Sequence, residues 1–255
     1  SSPIAGVLFA FEVISRKVSR AFIISNLIAV SIAFGLLTIL KEEPLFAVSI
    51  ATWNLKAIPY FILLGILAGM NSVYLTRCVL FFKSQFGKID THYYKIILGS
   101  AVLSISLFFF PQLYGEGYHA IKGIFGNAPQ TQLTITLALT FIGILILKPI
   151  VTSITLASGG DGGVFAPSLF IGAFLGLLLA SILNSFFHVN VIPVNFMIIG
   201  MAAVLSASIH APFTAIFLVC GLTNDYTLFF PILVVCLISK YTAKTIYPYT
   251  VYSYS

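Results

Sequence analysis

The chain has 255 residues, 59% of them hydrophobic and only 8% charged. A soluble domain carries about 25% charged residues, so a soluble enzyme or binding domain is excluded and the chain reads as integral to a membrane. The formal charge of +6 comes from thirteen Lys and Arg scattered over loops, which excludes a nucleic-acid surface.

Apolar runs occur at residues 3–14, 20–40, 57–82, 94–113, 132–157, 164–187, 192–209, 212–222 and 226–247. A perpendicular membrane span takes ~20 residues. Several of these runs are too short for that, others are long enough to tilt steeply, and several are cut by Pro3, Pro149, Gly162-Gly163 or Pro212. Such a mixture predicts an all-α membrane protein of tilted, broken helices, a channel or transporter. The opening Ser1-Ser2-Pro3 meets an apolar helix with neither a basic leader nor an initiator methionine, so the start reads as internal to a longer protein.

The basic residues fall into three groups: Arg16, Lys17 and Arg20; Arg77, Lys83, Lys88 and Lys95; Lys240 and Lys244. By the positive-inside rule they share the cytoplasmic side, leaving Glu42-Glu43 and Gly115–Gly117 outside. Gly65 with Gly69 and Gly172 with Gly176 have the spacing that allows close helix contact. Cys78, Cys220 and Cys236 have no metal or redox spacing and read as core packing. Ser2–Phe9 can be laid over Ala211–Leu218, with small, proline and bulky positions recurring in one register. Either this is the trace of a structural repeat or two apolar stretches agree by chance.

The most informative segment is Ser158–Pro167, SGGDGGVFAP, a glycine-rich break between two apolar runs. Irregular backbone at membrane depth survives only inside protein or along a wet cavity. A helix starting near Val164 offers free amides and the positive end of its dipole, which is an anion site. The bland alternative is that Gly162, Gly163 and Pro167 merely start a buried helix. Lys148, within an apolar run ahead of Pro149, is a functional candidate as an ionisable group at membrane depth, or else snorkels to a boundary. His119 and His210 read as histidines satisfied by their neighbours.

Three blocks of this sequence resemble the CLC family of voltage-gated chloride channels and chloride/proton antiporters. Gly159–Ala173 resembles the GxFxP filter segment; Gly200–Val204 through His210–Ala215 resembles the helix pair after it; Ser2–Glu12 is similar to the end of the first repeat. The resemblance implies a CLC-type inverted-repeat bundle in a homodimer with one pore per subunit. Residues 1–90 would hold the end of repeat one and 91–255 repeat two, the chain being the C-terminal part of the transmembrane domain. The other filter segments and the gating glutamate would lie upstream.

The implied anion-binding residues are Gly163, Val164, Phe165 and Tyr252, supported by Gly162, Ala166 and Pro167, with Lys148 acting on the pathway electrostatically. Among the crowded tail tyrosines, Tyr252 matches the position from which the family aims a hydroxyl at the central chloride; an interfacial tyrosine belt is the rival reading. Val13 stands where family antiporters have an inner proton-transfer glutamate, and Glu12 matches the glutamate before it. Valine carries no proton, which favours channel-like transport or another proton route. Gly221 also departs, since many relatives have glutamate there. The family's dimer contacts fall near Phe11 and Phe229, where lipid-facing packing is the alternative.

The expected function is chloride transport, with proton antiport or transport of fluoride or nitrate as alternatives. A membrane-embedded enzyme would need a nucleophile–base set or metal ligands facing one cavity. The sequence has no His-Glu-x-x-His, no paired cysteines and seven acidic residues, mostly near segment ends. No enzyme activity, metal or cofactor is expected. The expected partners are a small anion, the bilayer and a second copy, with no nucleic acid, in a bacterial inner membrane. A non-transporting truncated product is a third reading.

Overall fold

The computed structural model describes residues 2–14, 19–41, 44–128 and 133–252. Ser1, Arg16, Lys17, Glu42, Glu43, Ser253 and Tyr254, which entered the sequence reading, lie outside the described residues. Within them the elements are helical and none is a strand. Helix α1 (Pro3–Phe9) continues as a π turn (Ala10–Ile14), followed by α2 (Arg20–Leu40), α3 (Ile58–Gly87), α4 (His92–Phe109) and α5 (Tyr118–Asn127). Then come α6 (Ile135–Ala157), α7 (Phe165–Phe186), α8 (Pro193–Ile209), α9 (Pro212–Thr223) and α10 (Phe229–Ile246).

Among the described residues six helices are long and apolar enough to cross a membrane, while α1, α8 and α9 are apolar but shorter. Helix α3, at 30 residues, has a length of about 45 Å at 1.5 Å per residue, so it must tilt or project from a hydrocarbon core ~30 Å thick. Pro3, Pro193 and Pro212 each occupy the first turn of their helix, where the missing N–H leaves no bond unmade. Helix α2 opens under a cap from Ser19, whose hydroxyl accepts from the Phe22 amide at 3.1 Å.

Helix α8 is the axis of the bundle. Every residue from Val194 to Ile209 is buried, and α7, α3, α10 and α9 pack around it. The α7–α8 crossing is backbone on backbone: Gly172 lies against the Gly200 carbonyl and Gly176 against that of Phe196, leaving no room for a Cβ. At Gly69 a Cβ would come within 2.7 Å of the Ser239 carbonyl on α10, so both glycine pairs read from the sequence sit at helix contacts.

Helices α1 and α9, the two segments that overlay in sequence, lie side by side and antiparallel. Ser2 Oγ donates to the Phe217 carbonyl at 2.8 Å, while Glu12 at the other end reaches the start of α9. Helix α2 has no buried residue. Arg77 stands 5.3 Å over the Tyr247 ring, and His210, between α8 and α9, faces Lys240 and Lys244. Cys220 and Cys236 are buried and Cys78 half-buried, all three unpaired.

Candidate functional site: the α7 N-terminus and its cavity

The glycine-rich break ends in the helix start that its residues predict. Val164 caps α7 with φ −89° and no side-chain cap, and the first helical bond runs from the Ser168 amide to the Val164 carbonyl at 3.0 Å. The amides of Val164, Phe165 and Ala166 therefore have no partner within the helix, and Pro167 contributes none. Three donors and the dipole's positive end converge at one point. The Val164 side chain is 1% exposed while Gly162 and Gly163 are open, so the amides meet the cavity through glycine rather than through bulk.

Tyr252 arrives at the same point from the far end of the chain. The Val164 amide directs a hydrogen bond at the phenol oxygen, which lies 3.8 Å from where a Cβ on Gly163 would stand. Phe9 of α1 completes the wall: its ring meets Phe165 edge-on at 4.9 Å and Tyr252 at 6.3 Å. Gly163, Val164, Phe165 and Tyr252 are thus brought together, and Phe9 is a wall residue that the sequence did not single out. Its signal was faint, an aromatic within an apolar run.

The site opens on a cavity of about 600 Å³ bounded by Gly162, Gly163, Phe165, Ala166 and Pro167 on one side and Lys148, Glu116 and Tyr118 on the other. Lys148 does not snorkel. It is 2% exposed, and its Nζ donates to the Leu113 carbonyl at 3.0 Å and the Gly115 carbonyl at 2.9 Å. The ammonium also stands 4.7 Å over the Phe170 ring. It is held by neutral carbonyls and a π face, so its charge reaches the cavity wall.

Glu12 is engaged elsewhere. Its carboxylate accepts from the Thr214 amide and hydroxyl, both at 2.7 Å, and from the Phe213 amide at 3.4 Å. It caps α9 from another element, which suits an anion at a helix N-terminus. Val13, in the π turn, packs against the apolar core. Gly221 has a physical account: a Cβ there would collide with Ser2, so this chain's α1–α9 contact has no space for a glutamate. His119 is exposed on α5. Among the described residues no group of three His, Cys, Asp or Glu could hold a metal.

A helical membrane bundle in which a glycine-rich break turns the free amides of one helix toward an internal cavity belongs among the membrane transport proteins built on broken helices. The family profile described as Voltage gated chloride channel matches residues 1–244, and the chain belongs to that family. It is 26% identical over 257 residues to the voltage-gated ClC-type chloride channel ClcB of Escherichia coli, covering 98% of this chain and 60% of that one. The structure of a slow cyanobacterial Cl-/H+ antiporter is similar with TM-score 0.80 and 26% identity, over 98% of this chain and 59% of that chain. A CLC-type fluoride/proton antiporter, 21% identical with TM-score 0.73 over 98% of this chain and 60% of that one, shares the fold. The chain spans about three fifths of the length of these relatives.

Proposed function

We propose that this chain carries the C-terminal filter and part of the wall of a chloride pathway. The observation behind the proposal is the pair of helix-free Phe165 and Ala166 amides at the cavity wall, beside the Tyr252 hydroxyl that the Val164 amide holds in place. Neutral donors replace part of an anion's hydration without a full countercharge, so the ion binds and still leaves. Lys148 raises local anion concentration from the wall and does not bind directly. Residues 1–90 and 91–255 correspond to the end of one repeat and the whole of the next, within a homodimeric protein of a bacterial inner membrane. No cofactor takes part.

Val13 makes the pathway channel-like or uncoupled. Proton antiport through another route is the second reading, favoured by the likeness to a Cl-/H+ antiporter. The deciding experiment follows chloride efflux and external pH together from liposomes holding the full-length protein. Chloride release without proton movement is expected. Opposing proton movement would establish antiport by a route that avoids Val13, and an absence of chloride release would remove the pathway altogether.

A further inference from the structure

At the first turn of α7 three buried hydroxyls from three helices form a cluster. Ser168 Oγ lies 2.6 Å from the Val164 carbonyl and 3.0 Å from Ser208 Oγ, which in turn lies 3.2 Å from Ser72 Oγ. Ser72 belongs to α3, Ser168 to α7 and Ser208 to α8, and none is more than 1% exposed. Each hydroxyl has one hydrogen to give and two lone pairs to receive. Ser72 donates to Ser208, and Ser168 divides its hydrogen between the Val164 carbonyl and Ser208, with the shorter bond to Val164. The Ser208 hydrogen goes to the Val204 carbonyl, 2.8 Å away.

What makes the cluster more than core packing is the group at its end. The Val164 carbonyl and the Phe165 N–H are opposite ends of one trans amide plane. The carbonyl accepts from both the amide and the hydroxyl of Ser168, which fixes the tilt of that plane. A hydrogen bond accepted by a carbonyl also polarises its amide. Electron density drawn toward the carbonyl leaves the Phe165 N–H a stronger donor on the cavity side.

We propose that Ser168 is a positioning residue for the anion: its hydroxyl, bound to the Val164 carbonyl, aims and strengthens the Phe165 amide without touching the ion. This inference rests on the reading of the α7 N-terminus as an anion site. A threonine in place of Ser168 keeps the hydroxyl, whereas alanine removes it at little cost in volume.

The test is chloride and bromide titration calorimetry on the purified full-length protein, with melting temperature recorded in parallel. Ser168→Ala is expected to weaken chloride binding about threefold to tenfold, the loss of one hydrogen bond, and to alter the chloride-to-bromide ratio. Ser168→Thr restores wild-type affinity. Ser208→Ala leaves the Ser168 hydrogen wholly to Val164 and keeps wild-type affinity or tightens it, which separates the hydroxyl from packing around it. Should Ser168→Ala fail to fold, Ser168→Cys, a weak donor of similar size, is expected to weaken binding about twofold. Wild-type affinity in Ser168→Ala, or in Ser168→Cys where alanine does not fold, overturns the inference and leaves the anion site standing. Absence of saturable halide binding in the unaltered protein overturns both.

Discussion

The amides of Val164, Phe165 and Ala166 derive their role from what surrounds them: glycines that keep the approach open, a proline that ends the donor row, and one tyrosine hydroxyl opposite. A carboxylate placed among them repels the ion they would hold. Val164→Asp is expected to lower chloride flux from liposomes at least about tenfold, because unit charges ~4 Å apart interact by several kcal/mol in partly buried surroundings. Pro167→Ala adds a fourth amide to the row, and a shifted chloride-to-bromide flux ratio is expected. Unchanged flux and selectivity in both variants would mean that α7 only starts a buried helix there. Glu12 plays a different part. Glu12→Ala removes the cap on α9 and is expected to cost about 1–3 kcal/mol of stability, read as a lowered denaturation midpoint. Glu12→Gln keeps an acceptor oxygen and loses less; a change in transport without a change in stability would assign Glu12 to the pathway instead.

At the level of helices, the apolar runs at 3–14, 20–40, 164–187, 192–209 and 212–222 became elements within a few residues of those limits. Length was legible because the runs are nearly free of charge. Helix α3 continues past the apolar run to Gly87 through Lys83 and Gln85, since a helix emerging into water no longer needs apolar residues. Helix α5 was not read at all: ten residues carrying His119, Lys122 and two glycines look like a loop, and its packing on α7 reveals why it is ordered. The glycine-rich break before α7 was legible from glycine and proline alone. The Ser72–Ser208–Ser168 cluster was not, because its members are separated by 136 and 40 residues and serine in an apolar helix has no pattern of its own. The α7–α8 crossing makes its own prediction. Gly172→Leu drives a side chain into the Gly200 backbone and should destabilise the protein beyond the ~1–3 kcal/mol of ordinary overpacking; a wild-type melting temperature would mean that the two backbones are not in contact.

For the whole molecule, the exposed apolar length of α2 and the aromatic pairs beside it set the terms of assembly. Phe11 packs edge-on against Phe22 at 5.3 Å, and Phe229 against Phe217 at 5.9 Å. If these faces meet a second copy, Phe11→Trp and Phe229→Trp overfill the junction and reduce the dimer fraction in detergent by light scattering; an unaltered fraction would assign the faces to lipid. The α7–α8 crossing also bears on mechanics. Two helices that touch through their peptide planes have no side-chain layer to compress between them, so they act as a single beam. The α7 amides are mounted on that beam, which is braced by α3 and α10. If an anion passes them, such a mounting holds the donors at fixed coordinates, and any change of bore is thrown onto the opposite wall, where Tyr252 and Phe9 are supported by ring contacts and the hydrogen bond from the Val164 amide.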